Sequence, residues 1–302
     1  MNELEIKKFL SEKDKTRVFM IENFLSIFDM KNNIYIPFKL FDQQKEYLKA
    51  LSENRNNISM HSRGVGMTYV LAAYVACEMI LSDENPKEIF LIKTINELHR
   101  FFLKIVNVFL AQLTPSFFNK EFNDSLLINS KEKIKLINGS IISTNISTYD
   151  HTNDNLWVIG DQFAFINKPI TKFFDIDNYK KRFTFISTPN GTDNLFYKIY
   201  QDALNKKNDF NIINLIWQKD PRYNRYLKFI NKDTLDIIDV CDSDGNVLIT
   251  DYMIQKFLDE GYKSTSDWFE KICRNLNNNS QIISKEFALN FTDRTVSAIS
   301  GT

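Results

Sequence analysis

From Glu3 to Met30, apolar residues such as Ile21, Phe24, Leu25 and Phe28 recur at helical spacing, and Pro37 ends the pattern. A second helix is predicted over Asp42 to Leu51. Short apolar strands then alternate with longer helical stretches. Asn57 to Met60 reads as a strand, Met67 to Leu81 as an Ala- and Leu-rich helix, Glu88 to Ile92 as a strand and Asn96 to Leu113 as a helix. Lys133 to Ser143 reads as a hairpin turning at Asn138-Gly139, a preferred two-residue turn. Leu156 to Ile159 and Arg182 to Ile186 are continuous apolar runs, the pattern of central parallel strands. Asn211 to Trp217 is a further strand, and Asp236 to Thr250 a second hairpin around Asp244-Gly245. Helices follow at Asp251 to Glu260 and Thr265 to Asn277, with a last strand near Phe287 to Phe291. Strands alternating with helices predict βαβ units and a mostly parallel sheet in an α/β fold.

Composition narrows the partners. Lys plus Arg and Asp plus Glu number 38 each in 302 residues. That balance argues against a passive nucleic-acid coat, which would carry a basic excess, but leaves room for a motor with a local basic patch. Cys77, Cys241 and Cys273 have no metal-ligand spacing and read as small buried hydrophobes. The first ten residues carry Glu3, Glu5, Lys7 and Lys8 and lack a signal-peptide core. The longest apolar run, Val70 to Cys77, is too short to span a bilayer, so a soluble protein with no membrane partner is expected.

Three segments carry candidate chemistry. His61-Ser62-Arg63-Gly64-Val65-Gly66-Met67-Thr68 joins a predicted strand to a long helix, the place where backbone amides and a helix N-terminus cradle phosphate. Thr68 stands where a hydroxyl holds Mg²⁺ in P-loop enzymes. Met67 occupies the lysine position, leaving Arg63 as the nearby cation, and a simple βα turn explains the segment as well as a nucleotide site does. The strand Leu156 to Gly160 ends in Asp161, where P-loop enzymes organise Mg²⁺. Gln162 follows; it can orient a water but is a very poor base. After the next strand, Thr188-Pro189-Asn190-Gly191 reads either as a plain turn or as a sensor, with Thr188 and Asn190 at the ligand-binding edge of the sheet.

Together these segments resemble the ATPase part of tailed-phage terminase large subunits, from about Phe38 to Gly301. The family's Ser-Arg-x-x-Gly-Lys-Thr loop matches Ser62 to Thr68 in all but Met67. Its Asp-Glu-x-Ala-Phe-Ile string matches Asp161 to Ile166 in all but Gln162. Its Thr-Pro-Asn-Gly motif followed by Phe-Tyr matches Thr188 to Gly191 with Phe196-Tyr197, and its terminal Ser-Gly pair matches Ser300-Gly301. The resemblance implies a P-loop (RecA-like) ATPase that binds ATP and Mg²⁺, with Gln44 reading adenine upstream of the loop. It implies a helical lid segment over 1–40, an ATPase core over 41–220 and a lid segment over 221–302. It also implies double-stranded DNA, a portal protein, the terminase small subunit and a homo-oligomeric ring as partners, in the cytoplasm of an infected bacterium.

Three departures remove charge: Met67 for the phosphate lysine, Gln162 for the catalytic Glu, and His151 where related packaging ATPases often carry an Arg. Each such loss lowers rate by orders of magnitude. Slow or absent hydrolysis is therefore expected, unless Arg63 substitutes and a neighbouring subunit supplies the rest. The family's C-terminal nuclease would begin where the chain stops at Thr302, so no DNA cleavage by this polypeptide is expected. Alternatives are a non-catalytic member of the fold and a helicase-type domain; against the latter, no second RecA-like domain follows. Asp242 to Asn246 fails the calcium-loop pattern. For Arg222, Tyr223, Arg225 and Tyr226, ordinary packing outweighs DNA contact.

Overall fold

The computed structural model describes residues 13–82, 85–94, 97–145, 156–166 and 181–291, with side chains from Thr16 onward. Internal contacts divide the chain into two units. The first holds Met1–Ser59, Gly66–Ser187 and Asp193–Ile213; the second holds Met60–Val65, Thr188–Thr192 and Asn214–Thr302.

The first unit is built on a mostly parallel sheet flanked by helices, the α/β class that the alternating pattern predicts. Its strands are β3 (Asn57–Met60), β4 (Glu88–Leu91), β5 (Leu126–Asn129), β6 (Lys133–Leu136), β7 (Ile141–Ser143), β8 (Trp157–Asp161), β9 (Arg182–Ser187) and β10 (Asn211–Ile212). They lie in the order β10-β3-β9-β8-β4-β7-β6-β5. β8 runs parallel to both β4 and β9, with Trp157 opposite Arg182 and Asp161 opposite Ile186. β6 pairs antiparallel with β7 through the Asn138-Gly139 turn.

Every residue of β8 is buried, and the strand reads as an unbroken apolar run for that reason. Helix α3 (Met67–Ile80) is likewise apolar on nearly all sides because it is covered nearly all round. Its one buried acid, Glu78, accepts from Arg17 Nε at 2.7 Å and lies 3.8 Å from Lys87 Nζ. Helix α4 (Leu98–Phe118) packs against α3. By length and composition alone α4 could cross a membrane; its buried residues, among them Phe102, Val106, Phe109 and Leu113, recur at helical spacing along one face.

The N-terminal reading is corrected. The helix α1 (Lys13–Phe24) gives way to a hairpin of β1 (Ser26–Asp29) and β2 (Ile34–Pro37). The Asp29 carboxylate accepts from the Lys31 amide and the Asn32 side chain, and Asn33 adopts φ 55°. Such local side-chain bonds offer the backbone an alternative to helix.

The second unit carries a three-stranded antiparallel sheet, β12 (Ile237–Asp239), β11 (Lys228–Ile230) and β13 (Lys263–Thr265), in that order. Helices α6 (Asp251–Asp259), α7 (Asp267–Asn275) and α8 (Ser280–Glu286) follow the predicted rhythm. α5 (Leu195–Leu204) belongs to the first unit. The expected strand at Phe287 to Phe291 is not formed: the segment leaves α8 without strand pairing, and Phe287 packs edge-on against Trp268 and Phe269. The expected strand to Trp217 shortens to β10, because the chain turns into a 3₁₀ turn at Trp217–Lys219.

Candidate functional site

In the first unit, an acid at a strand end meets a hydroxyl at a helix start. Asp161 closes β8 and is 3% exposed. Thr68, second residue of α3, donates from Oγ1 to Asp161 Oδ1 at 3.3 Å. Burial pushes the Asp161 carboxyl from 3.8 up to about 7; hydrogen bonds from Thr68 and the Gln162 amide oppose this more weakly. No lysine or arginine pairs with Asp161 among the described residues.

The loop before α3 brings amides to the same place. Gly66 precedes the helix at φ 81°, a left-handed turn that suits glycine, and gives it no side-chain cap. The amides of Gly66, Met67 and Thr68 have no acceptor among the described residues, as expected at an uncapped helix start. A carboxylate beside a hydroxyl is a hard oxygen donor pair. It fits Mg²⁺, which binds through one or two protein oxygens, phosphate and water. No group of three His, Cys, Asp or Glu side chains suited to a self-sufficient metal centre occurs among the described residues.

The string after Asp161 has a packing reason. Phe163 stacks on Phe185 at 4.0 Å, and a Cβ on Gly160 would lie 2.6 Å from the Phe163 ring. Glycine at 160 therefore lets the aromatic lie flat beside the strand end. The Ala164 amide donates to Ser187 Oγ at 3.2 Å, tying the turn to β9. Gln162 makes the turn at φ 55°. Met67 is 1% exposed. Gln44, also buried, accepts the Phe41 amide on Oε1 at 3.0 Å, so its oxygen caps the helix α2 (Asp42–Glu53). A Cβ on Gly66 would lie 3.4 Å from Gln44 Nε2.

The remaining residues expected at the site lie in the second unit; the chain crosses between the units at Val65-Gly66. Ser62 is fully engaged. Its amide donates to Leu215 O at 2.9 Å, while its Oγ donates to Phe287 O at 3.1 Å and accepts from the Trp217 amide at 3.2 Å. Arg63 donates its amide to Glu286 O at 2.8 Å and its guanidinium to the Glu286 carboxylate at 2.5 Å. Gly64 O accepts from Tyr223 OH at 3.0 Å and Arg222 Nη2 at 3.2 Å, so these two side chains brace the loop. Arg222 also grips Asp220, and Tyr223 stacks on Trp268 at 4.1 Å. Val65 is fully buried. Burial holds His61 at about 4, so it is neutral near pH 7. Thr188 and Asn190 are buried, and Asn190 Oδ1 accepts from Lys285 Nζ at 2.6 Å.

Lys285 and Glu286 carried no signal in the sequence, because they meet Asn190 and Arg63 across 95 and 223 residues. His151 lies outside the described residues.

No family model matches the chain, and no curated protein sequence does. Among solved structures the chain is similar to the large terminase of bacteriophage HK97, with TM-score 0.49 and 15% identity over 88% of this chain and 54% of that one. It is also similar to the large terminase from a thermophilic bacteriophage, with TM-score 0.41 and 15% identity over 60% of this chain and 46% of that one, so it spans about half the length of the phage terminases it resembles.

Proposed function

We propose that this chain binds Mg²⁺ and ATP through the helix start Gly66 to Thr68 and Asp161, and works as the ATPase of a phage DNA-packaging motor of the terminase large-subunit class. The observation that carries the reading is the 3.3 Å hydrogen bond from Thr68 to a buried Asp161 that no basic side chain neutralises among the described residues. A buried carboxylate with a hydroxyl partner and open helix-start amides suits a divalent cation and the phosphates it neutralises. When bound, the cation supplies charge neutralisation for the phosphates and for Asp161. The loop amides and the α3 dipole orient the phosphates, and Gln162 orients a water without abstracting its proton. The motif order Ser62 to Thr68, Asp161 to Ile166 and Thr188 to Gly191 supplies the packaging class. On this reading the partners are double-stranded DNA, a portal protein, a small subunit and further copies of the chain in a ring, in the infected cell's cytoplasm.

The uncharged Met67 and Gln162 favour a second reading, nucleotide binding with little turnover. ATP turnover of the chain, with and without DNA, separates the two when compared with Gln162→Glu and Met67→Lys. The first reading expects slow but measurable turnover that both substitutions raise. Tight binding with no turnover in any version supports the second, and no nucleotide binding at all removes both.

A further inference from the structure

The chain as a whole carries no net charge, yet its charges are not evenly spread. In the first unit a cleft of 560 Å³ lies between α4 and the turn that joins β5 to β6. Glu97, Arg100 and Lys104 supply its charged helix wall, at i, i+3 and i+7 along one face of α4. Lys131 stands in the turn opposite. Three cations therefore meet one acid in the lining. Lys104 and Lys131 are exposed and make no ion pair among the described residues. Arg100 is shared: it bonds Glu97 on the helix and lies 3.9 Å from Glu132 beside the turn. Its Nε has no hydrogen-bond partner among the described residues, so the guanidinium keeps a donor in reserve.

The two walls are held. Glu132 accepts from Lys93, at the end of β4, at 3.2 Å, and its carbonyl accepts from the Thr144 amide at 2.9 Å. The Ser130 amide donates to Lys133 O at 2.8 Å, closing the turn that carries Lys131. The lysines thus project from a fixed helix and a fixed turn. Small-molecule sites are lined mainly by apolar and aromatic side chains. Here, among the described residues, the apolar lining is Leu103 and Ile134, both buried, and no aromatic ring offers a wall for a base. Such a surface suits phosphate and leaves bases unread.

We propose that this cleft grips the sugar-phosphate backbone of double-stranded nucleic acid, with Lys104 and Lys131 as its phosphate contacts and Arg100 between them. It rests on the reading above only in taking DNA as a partner, and uses no residue of the nucleotide site. Glu97 then moderates the grip, because it neutralises part of Arg100. Contact of this kind is independent of sequence and weakens steeply with salt, as a chain that must release and re-engage its track requires.

The test measures binding of the full chain to duplexes of two unrelated sequences over a range of salt. It is repeated with Lys104→Gln plus Lys131→Gln and with Glu97→Gln, each checked by thermal melting. The double variant should bind both duplexes about tenfold or more weakly near 0.1 M salt, with the salt slope reduced by about 2. Glu97→Gln should bind more tightly, a direction that a damaged fold would not produce. If the full chain binds duplex and the folded double variant keeps its affinity and slope, the inference falls while DNA remains a partner. A loss in Glu97→Gln also overturns it. Calorimetry with inorganic phosphate separates the other source of the same group: if the double variant loses phosphate but not duplex, the cleft is a free-anion site and the inference falls. If the full chain binds no duplex even at low salt, the DNA partner of the packaging reading fails and takes the inference with it.

Discussion

Replacing Asp161 by Asn keeps the shape at the end of β8 and the acceptor for Thr68, and deletes one buried charge. The carboxyl loses its proton at 3.8 in an exposed chain and at about 7 in the fold, chiefly because burial disfavours the anion. Between those values the folded state holds a proton that the unfolded state has released. Stability contributed by the protonated carboxyl is therefore present below pH 4, is lost as pH rises toward 7, and stays lost above that. At about 1.4 kcal/mol per tenfold change in proton affinity, the ceiling on this loss is about 4 kcal/mol. Asp161→Asn should match the parent near pH 4 and exceed it at pH 8 by up to that amount, without added nucleotide. His61, held neutral by burial, titrates in the opposite sense below about pH 6.5, but it is common to both proteins and cancels in the difference. The assay is urea unfolding of both at pH 4 to 8, followed by fluorescence. A flat difference curve, or a variant less stable at pH 8, would show that Asp161 is not an uncompensated buried acid. Mg·ATP should then invert the order at pH 8, raising the stability of the parent and not of the variant.

Two further substitutions test the packing that holds the site. Arg17→Met strands the buried Glu78 beneath α3 and should destabilise by about 3 kcal/mol, at the low end for a broken buried pair because Lys87 remains 3.8 Å away. Denaturant unfolding reads this, and a change below about 1 kcal/mol would mean that water reaches Glu78. Gly160→Ala puts a Cβ 2.6 Å from the Phe163 ring and 3.0 Å from Phe185, so the stacked pair must shift, at a loss of about 1–3 kcal/mol. An unchanged melting temperature would show that the ring gives way easily.

What could be read in the sequence follows range. The strand β8 is apolar up to its closing acid, and β9 and the helix α3 are largely apolar; burial on nearly all sides is what such runs mean. Asp161, at the end of β8, and Thr68, in the first turn of α3, were therefore visible as polar residues beside those apolar runs. The hairpin at Asn138-Gly139 was legible from turn chemistry. β11 and β13 were not: three residues each, they are too short for a period to show. The turn after Asp29 was masked by the helical spacing of Ile21 to Phe28, and local carboxylate bonds decided it. The engagement of Arg63 by Glu286 was beyond any pattern, because no periodicity links residues 223 apart. So the candidate residues of the loop were visible one by one, while the partner that holds Arg63 depended on tertiary contact.

A crystal structure with Mg²⁺ and a non-hydrolysable ATP analogue bears most directly on the central claim. The account predicts the analogue's phosphates on the amides of Gly66 to Thr68, with the metal at about 2.1 Å from the Thr68 hydroxyl oxygen and Asp161 in its water shell. A nucleotide bound away from this loop, or a Thr68–Asp161 bond unchanged at 3.3 Å with no metal beside it at saturating analogue, would contradict it.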